Sequence, residues 1–150
     1  FNDYYHSSED TIDKMDLDYA TRITKLIVAT LVELAGLKEG DYENPVVEIE
    51  KPRQGYLYFQ NREIFSLPVS TAVVIGGIEI QAYAYDNGSG IDAVEFYIDG
   101  KMVARDDEAP YIYEWNEKAM LFHEVGVKAY DKAGNEEFVE ERIFILNFGG

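Results

Sequence analysis

The chain changes its hydrophobic period near residue 45, and this change constrains the fold more than any other feature. Before it, Ile23, Leu26, Ile27, Leu31 and Leu34 recur at helical spacing. After it, apolar and polar residues alternate. Ile78, Ile80, Ala82 and Ala84 alternate with Glu79, Gln81, Tyr83 and Tyr85, and Val94, Phe96 and Ile98 with Glu95, Tyr97 and Asp99. A period of two places the two sets on opposite faces of a strand, so one face of a sheet must be buried. Further strand-like pieces are Val46–Glu50, Tyr56–Phe59, Ile64–Leu67, Tyr111–Trp115, Val125–Tyr130 and Phe138–Leu146. Asp99-Gly100 is a hairpin signal, with Lys101–Ala104 as the returning strand. Strands this short, with turns every few residues, predict a mostly-β sandwich of about seven to nine strands preceded by one N-terminal α-helix.

Length and composition fit this reading. The chain has 150 residues, of which 47% are hydrophobic, so it has the material for a core. It has no cysteine, which excludes disulfides, thiolate zinc sites and cysteine nucleophiles. The formal net charge is −16, and both halves are acidic: residues 1–44 hold 10 acids and 4 bases, and residues 45–150 hold 19 and 9. Binding a nucleic-acid backbone requires clustered Lys and Arg, so no nucleic-acid partner is expected. No apolar run approaches the roughly 20 residues of a membrane span. The start, Phe-Asn-Asp-Tyr-Tyr, has neither an initiator Met nor a signal peptide, and the chain is expected to be a processed product or a piece of something longer.

The organisation expected is a helical segment over 1–40, a linker over 41–44 and a sandwich over 45–150. Asp16 or Asp18 can cap the helix, and Gly36 can stop it. Val28, Val32 and Ala35 add a second apolar stripe, so the helix expects cover on more than one side.

The β region resembles bacterial and archaeal Ig-like modules. The resemblance rests on Tyr83-Ala84-Tyr85-Asp86-Asn87-Gly88-Ser89-Gly90-Ile91, Val94 to Gly100, Ala109-Pro110-Tyr111 with Trp115, and Ala129-Tyr130-Asp131-Lys132-Ala133-Gly134-Asn135. It covers about residues 45–148. It implies an Ig-like sandwich, an accessory role beside a catalytic domain, and an extracellular or cell-surface location. Asp86, Gly90, Asp131, Gly134 and Asn135 read as turn residues: the aspartates accept backbone N–H bonds and the glycines supply positive φ. A calcium site built from Asp86, Asp131 and a neighbouring carbonyl is the functional alternative for those loops.

The first 37 residues resemble the end of an M28-family zinc aminopeptidase. Tyr5-His6-Ser7-Ser8-Glu9-Asp10-Thr11 is similar to a Tyr-His-x-x-x-Asp-Thr segment ahead of that family's last helix. The resemblance implies that His6 is an inherited zinc ligand, with the other ligands and the glutamate base in a preceding domain. This piece alone is then expected to hold no cofactor and to be inactive, whereas the parent enzyme holds zinc. The apolar helix would pack on that missing catalytic domain, dock on the sandwich, or self-associate through Ile23, Ile27, Leu31 and Leu34. His123, far from His6 in sequence, is expected to serve packing or a turn hydrogen bond.

Two alternatives remain: a free-standing module binding glycan or protein, and a structural spacer. For the first, Tyr97 and Tyr130 should face outward on neighbouring strands and offer rings to a partner. Cross-strand stabilisation of the sheet explains the same pair without a ligand. Tyr111, Tyr113 and Trp115 share one strand face and are expected in the core.

Overall fold

A computed structural model describes residues 16–35 and 40–149. Tyr5, His6, Asp10, Thr11 and Gly36, which the sequence singles out, lie outside the described residues. The chain divides into two compact units, Phe1–Gly40 and Asp41–Gly150.

In the first unit, α1 spans Leu17–Leu34. Asp16 caps it: its Oδ1 accepts the Tyr19 N–H at 2.9 Å, filling one of the orphan donors of the first turn. Leu26, Ile27, Val28 and Leu31 are each more than half exposed. Among the described residues no helix is long and apolar enough to cross a membrane.

The second unit contains ten strands: β1 Val46–Lys51, β2 Tyr56–Phe59, β3 Arg62–Ser66, β4 Ala72–Ile75, β5 Ile78–Tyr85, β6 Ile91–Ile98, β7 Lys101–Asp106, β8 Tyr111–Trp115, β9 Ala119–Asp131 and β10 Glu136–Asn147. They form a three-stranded sheet, β1-β5-β8, and a seven-stranded sheet, β3-β2-β4-β10-β9-β6-β7. The architecture is the two-layer, mostly-β sandwich that the alternation predicts. The extra strand is β4, which the sequence reading passed over. It is a four-residue run that pairs in parallel with both β2 and β10. Its Ala72 and Val74 are buried, and four residues are too few to display a period. Strand β9 is also longer than the alternation shows. Its first half, from Ala119, pairs with β10 through exposed apolar residues such as Met120 and Phe122.

The core lies between the sheets. Ile78 and Ile80 of β5 face Val94 and Phe96 of β6, Val125 and Val127 of β9, and Ile143 and Ile145 of β10, all at most 2% exposed. Each such side chain contributes roughly 1.5–3 kcal/mol on burial. With no cysteine in the chain, this packing replaces covalent staples. Tyr111 and Trp115 are buried and Tyr113 packs against the core, so the β8 aromatics are core residues. Two tight hairpins bend at positive φ: Asp99 and Gly100 between β6 and β7, and Gln60 and Asn61 between β2 and β3. Residues 41–44, read as a linker, are tied to the sandwich. Asn44 bonds Glu137, and the Asp41 carbonyl accepts from the Asn135 side chain at 3.0 Å.

Candidate functional site

The sequence singled out a tyrosine pair and a set of loop aspartates. Strands β6 and β9 are neighbours, with Tyr97 opposite Gly126 and Tyr130 opposite Ala93. Both tyrosines lie on the outer face of the seven-stranded sheet, half-buried. Their hydroxyls meet at one acceptor, Glu95 Oε2, at 2.6 Å from Tyr97 and 3.2 Å from Tyr130. The other Glu95 oxygen accepts from Arg105 at 2.9 Å, and Arg105 also reaches Asp92 at 3.1 Å. Lys128 and Arg105 lie over the Tyr130 ring at 5.1 and 5.5 Å. Tyr97 meets Phe138 edge-on at 5.8 Å.

This face is therefore a closed network around a carboxylate that is 8% exposed. Burial alone would raise the Glu95 carboxyl. Bonds from Tyr97, Arg105 and Tyr130 outweigh it and hold the group below its ordinary value. The same bond to Glu95, reinforced by burial, pushes the Tyr97 hydroxyl up to about 12. Both hydroxyls are spent inside the protein, which leaves only ring surface to a partner. Tyr83 and Tyr85 project from the other sheet and are about half exposed.

The aspartates gather at one end of the sandwich. Asp86 Oδ2 accepts from Gly88 N at 3.0 Å and from Gly90 N at 2.6 Å. Asp131 Oδ1 accepts from Ala133 N and Asn135 N at 2.9 and 2.8 Å, and its Oδ2 from the Asn135 side chain at 2.7 Å. Gly90 and Gly134 take φ of +82° and +95° in these turns. Asp41 joins them: its Oδ2 accepts from Ser89 N at 2.8 Å. That bond leads the effects that hold the Asp41 carboxyl below its ordinary value. Among the described residues, Asp41, Asp86 and Asp131 each bring a carboxylate oxygen within 4.8 Å of the others. Such a group could hold a hard cation such as calcium, whose usual six to eight oxygens would include further carbonyls or waters. Sequence reasoning paired Asp86 with Asp131 but missed Asp41, because Asp41 lies in the segment read as a linker. Its nearness shows only once β1 is seated beside β5.

His123 lies within β9. Its Nδ1 is 2.7 Å from Asp99 Oδ2 in the β6–β7 turn, and its ring meets Trp115 edge-on at 5.4 Å. It combines core packing with a turn hydrogen bond.

Residues 64–127, from β3 into β9, match the family model described as the bacterial Ig domain. The fold defines the class, a two-sheet Ig-like β-sandwich, and residues 64–127 of it are similar to the bacterial Ig domain. Among solved structures, the chain is similar to the fibronectin(III)-like modules of Clostridium thermocellum CbhA. The identity is 27% and the TM-score 0.50, over 69% of this chain and 46% of that one. The chain thus spans about half of that relative's length. Weaker likenesses are to the PKD1 domain of Vibrio anguillarum Epp (11% identity, TM-score 0.47, covering 71% of this chain and 99% of that one) and to an endo-beta-1,4-mannanase from Thermotoga petrophila (11%, 0.46, covering 71% and 21%). No curated protein matches the sequence.

Proposed function

We propose that the chain is the C-terminal part of a secreted or surface M28-like zinc metallopeptidase, an aminopeptidase. On this reading it comprises that enzyme's last helix and an Ig-like accessory module that supports or targets the catalytic domain. One observation carries the reading. A helix capped by Asp16 and apolar on more than one side comes after the segment Tyr5-His6-x-x-x-Asp10-Thr11 in the chain. A helix with that much apolar surface has a reason to exist beside a larger domain. His6 is then one ligand of a zinc site whose other ligands and general base precede this chain. The accessory role is supported by the bacterial Ig-like fold.

The test is the coding sequence upstream of Phe1, followed by expression of the whole polypeptide. The expected result is an upstream domain supplying further His, Asp and Glu ligands, with zinc-dependent release of N-terminal residues from peptides that His6→Ala abolishes. An unrelated upstream domain, or full activity in His6→Ala, overturns the proposal. A second reading, a module that binds glycan, is favoured by a charge-free cleft at the other end of the sandwich.

A further inference from the structure

At the end of the sandwich opposite the aspartates lies an open cleft of about 480 Å³. It falls within the size range of small-ligand sites. Nine residues line it and none is charged, although 28% of the chain is charged. Its floor is Gly76-Gly77, between β4 and β5. A side chain on Gly76 would meet the Gln60 amide nitrogen at 2.7 Å, and one on Gly77 would collide with the Asn116 carboxamide. The two carboxamides therefore lie directly over the glycines, in space that any side chain there would take from them.

The frame around those carboxamides is fixed. Gln60 N donates to Ile75 O at 2.9 Å and Gly76 N to Leu146 O at 2.9 Å. Asn147, 6% exposed, ties down the Asn116–Glu117 carbonyls at 3.1 and 3.0 Å and accepts from Gly149 N at 3.2 Å. The side-chain amides of Gln60 and Asn116 have no hydrogen-bond partner among the described residues. Phe148, 71% exposed, and Leu146 supply apolar wall. A second cleft of about 230 Å³ shares Gln60, Gly77 and Asn116 and adds the carboxylates of Glu79 and Glu114, so the two amides border two neighbouring hollows.

We propose that this cleft binds a neutral oligosaccharide. The Gln60 and Asn116 carboxamides pair with ring hydroxyls, each offering a donor and an acceptor as hydroxyls do. Phe148 and Leu146 cover an apolar sugar face. The first hollow holds no charge and the second adds only carboxylates, which disfavours phosphorylated or acidic ligands. The proposal concerns a different face from Tyr97 and Tyr130 and is independent of what precedes the chain.

The test is titration of the ¹⁵N-labelled chain with cellohexaose, mannohexaose, xylohexaose and chitohexaose, followed by amide NMR. At least one sugar should bind with a dissociation constant of about 0.1–1 mM. Its shifts should centre on the Gly76 and Gly77 amides and the Gln60 and Asn116 side-chain NH₂ groups. The double variant Gln60→Ala/Asn116→Ala changes two exposed side chains and should keep its thermal midpoint while weakening binding at least about tenfold. Phe148→Ala should weaken it independently, and Gly77→Ala, whose methyl displaces the Asn116 carboxamide, should weaken it too. The inference is overturned by no shift with any of the four sugars, by shifts centred on the Tyr97 face, or by binding that survives the double variant.

Discussion

The Tyr97 hydroxyl donates a 2.6 Å hydrogen bond to Glu95, two residues back along the same face of β6. A pair that outward-facing periodicity marks as a surface feature is thereby turned into an internal one. Tyr97, raised to about 12, is held protonated by the fold. Its unfolded counterpart loses its proton near 10. Stability from this bond is complete below about pH 10 and is lost as pH rises toward 12. Phenolate absorbance should show a late phase to which Tyr58, Tyr111 and Tyr113, raised by burial, also contribute, and its step near 12 should vanish in Tyr97→Phe. The variant should cost about 1 kcal/mol in urea unfolding at pH 7. A wild-type titration with no late step would count against the geometry.

The acid limb has the opposite sign. Glu95, Asp99 and Asp41 are all held below their ordinary values in the fold. For Asp99, burial opposes the shift, and the Glu124 N–H and His123 outweigh it. Groups lowered in this way add stability above their unfolded values, and that stability is lost as pH falls through the folded ones. Unfolding free energy should therefore hold steady near neutrality and decline below about pH 4.5. Arg105→Gln removes a cation 2.9 Å from Glu95. It should lower stability at pH 7 and flatten the decline toward pH 3, as measured by urea melts across that range.

The same contrast explains what sequence alone could resolve. The alternation of β5 and β6 is read directly because each strand has one dry and one wet face. Strand β4 is hidden because it is short. Ala93 and Glu95 should be exposed by parity, yet both are buried, because Tyr97, Tyr130 and Arg105 close over that part of the outer face. The Asx turns at Asp86 and Asp131 are local and therefore legible. Asp41 reaches Ser89, 48 positions away, and the Gly76-Gly77 cleft draws on three separate connections. No local pattern encodes either.

Crowding of the three aspartates gives a paired expectation. Asp86 uses Oδ2 for both turn bonds, so Asp86→Asn keeps the turn while removing one of three negative charges whose ligand atoms lie within 4.8 Å. In metal-free buffer at pH 7 it should be neutral or stabilising by under about 1 kcal/mol, the scale of such a repulsion near a wet surface. Asp86→Ala loses both acceptors and should destabilise by about 1–2 kcal/mol. Thermal melts of the two variants side by side decide the matter. Equal losses in both would show that the charge, not the turn geometry, stabilises this end.

Gly126 lies under the Phe138 ring. A methyl placed there would approach the ring at 2.6 Å and Tyr97 Cβ at 3.3 Å. The φ of Gly126 is not in the left-handed region, so contact rather than backbone conformation requires glycine here. Gly126→Ala should push Phe138 off the sheet, break its edge contact with Tyr97, and cost about 1–3 kcal/mol. Phe138→Ala removes the obstacle and loses the same contact. The double variant should therefore be less destabilised than the sum of the two singles by about 0.5 kcal/mol or more. Urea unfolding of the four proteins in the cycle measures that difference. Strict additivity would mean that Phe138 does not rest on Gly126 in solution.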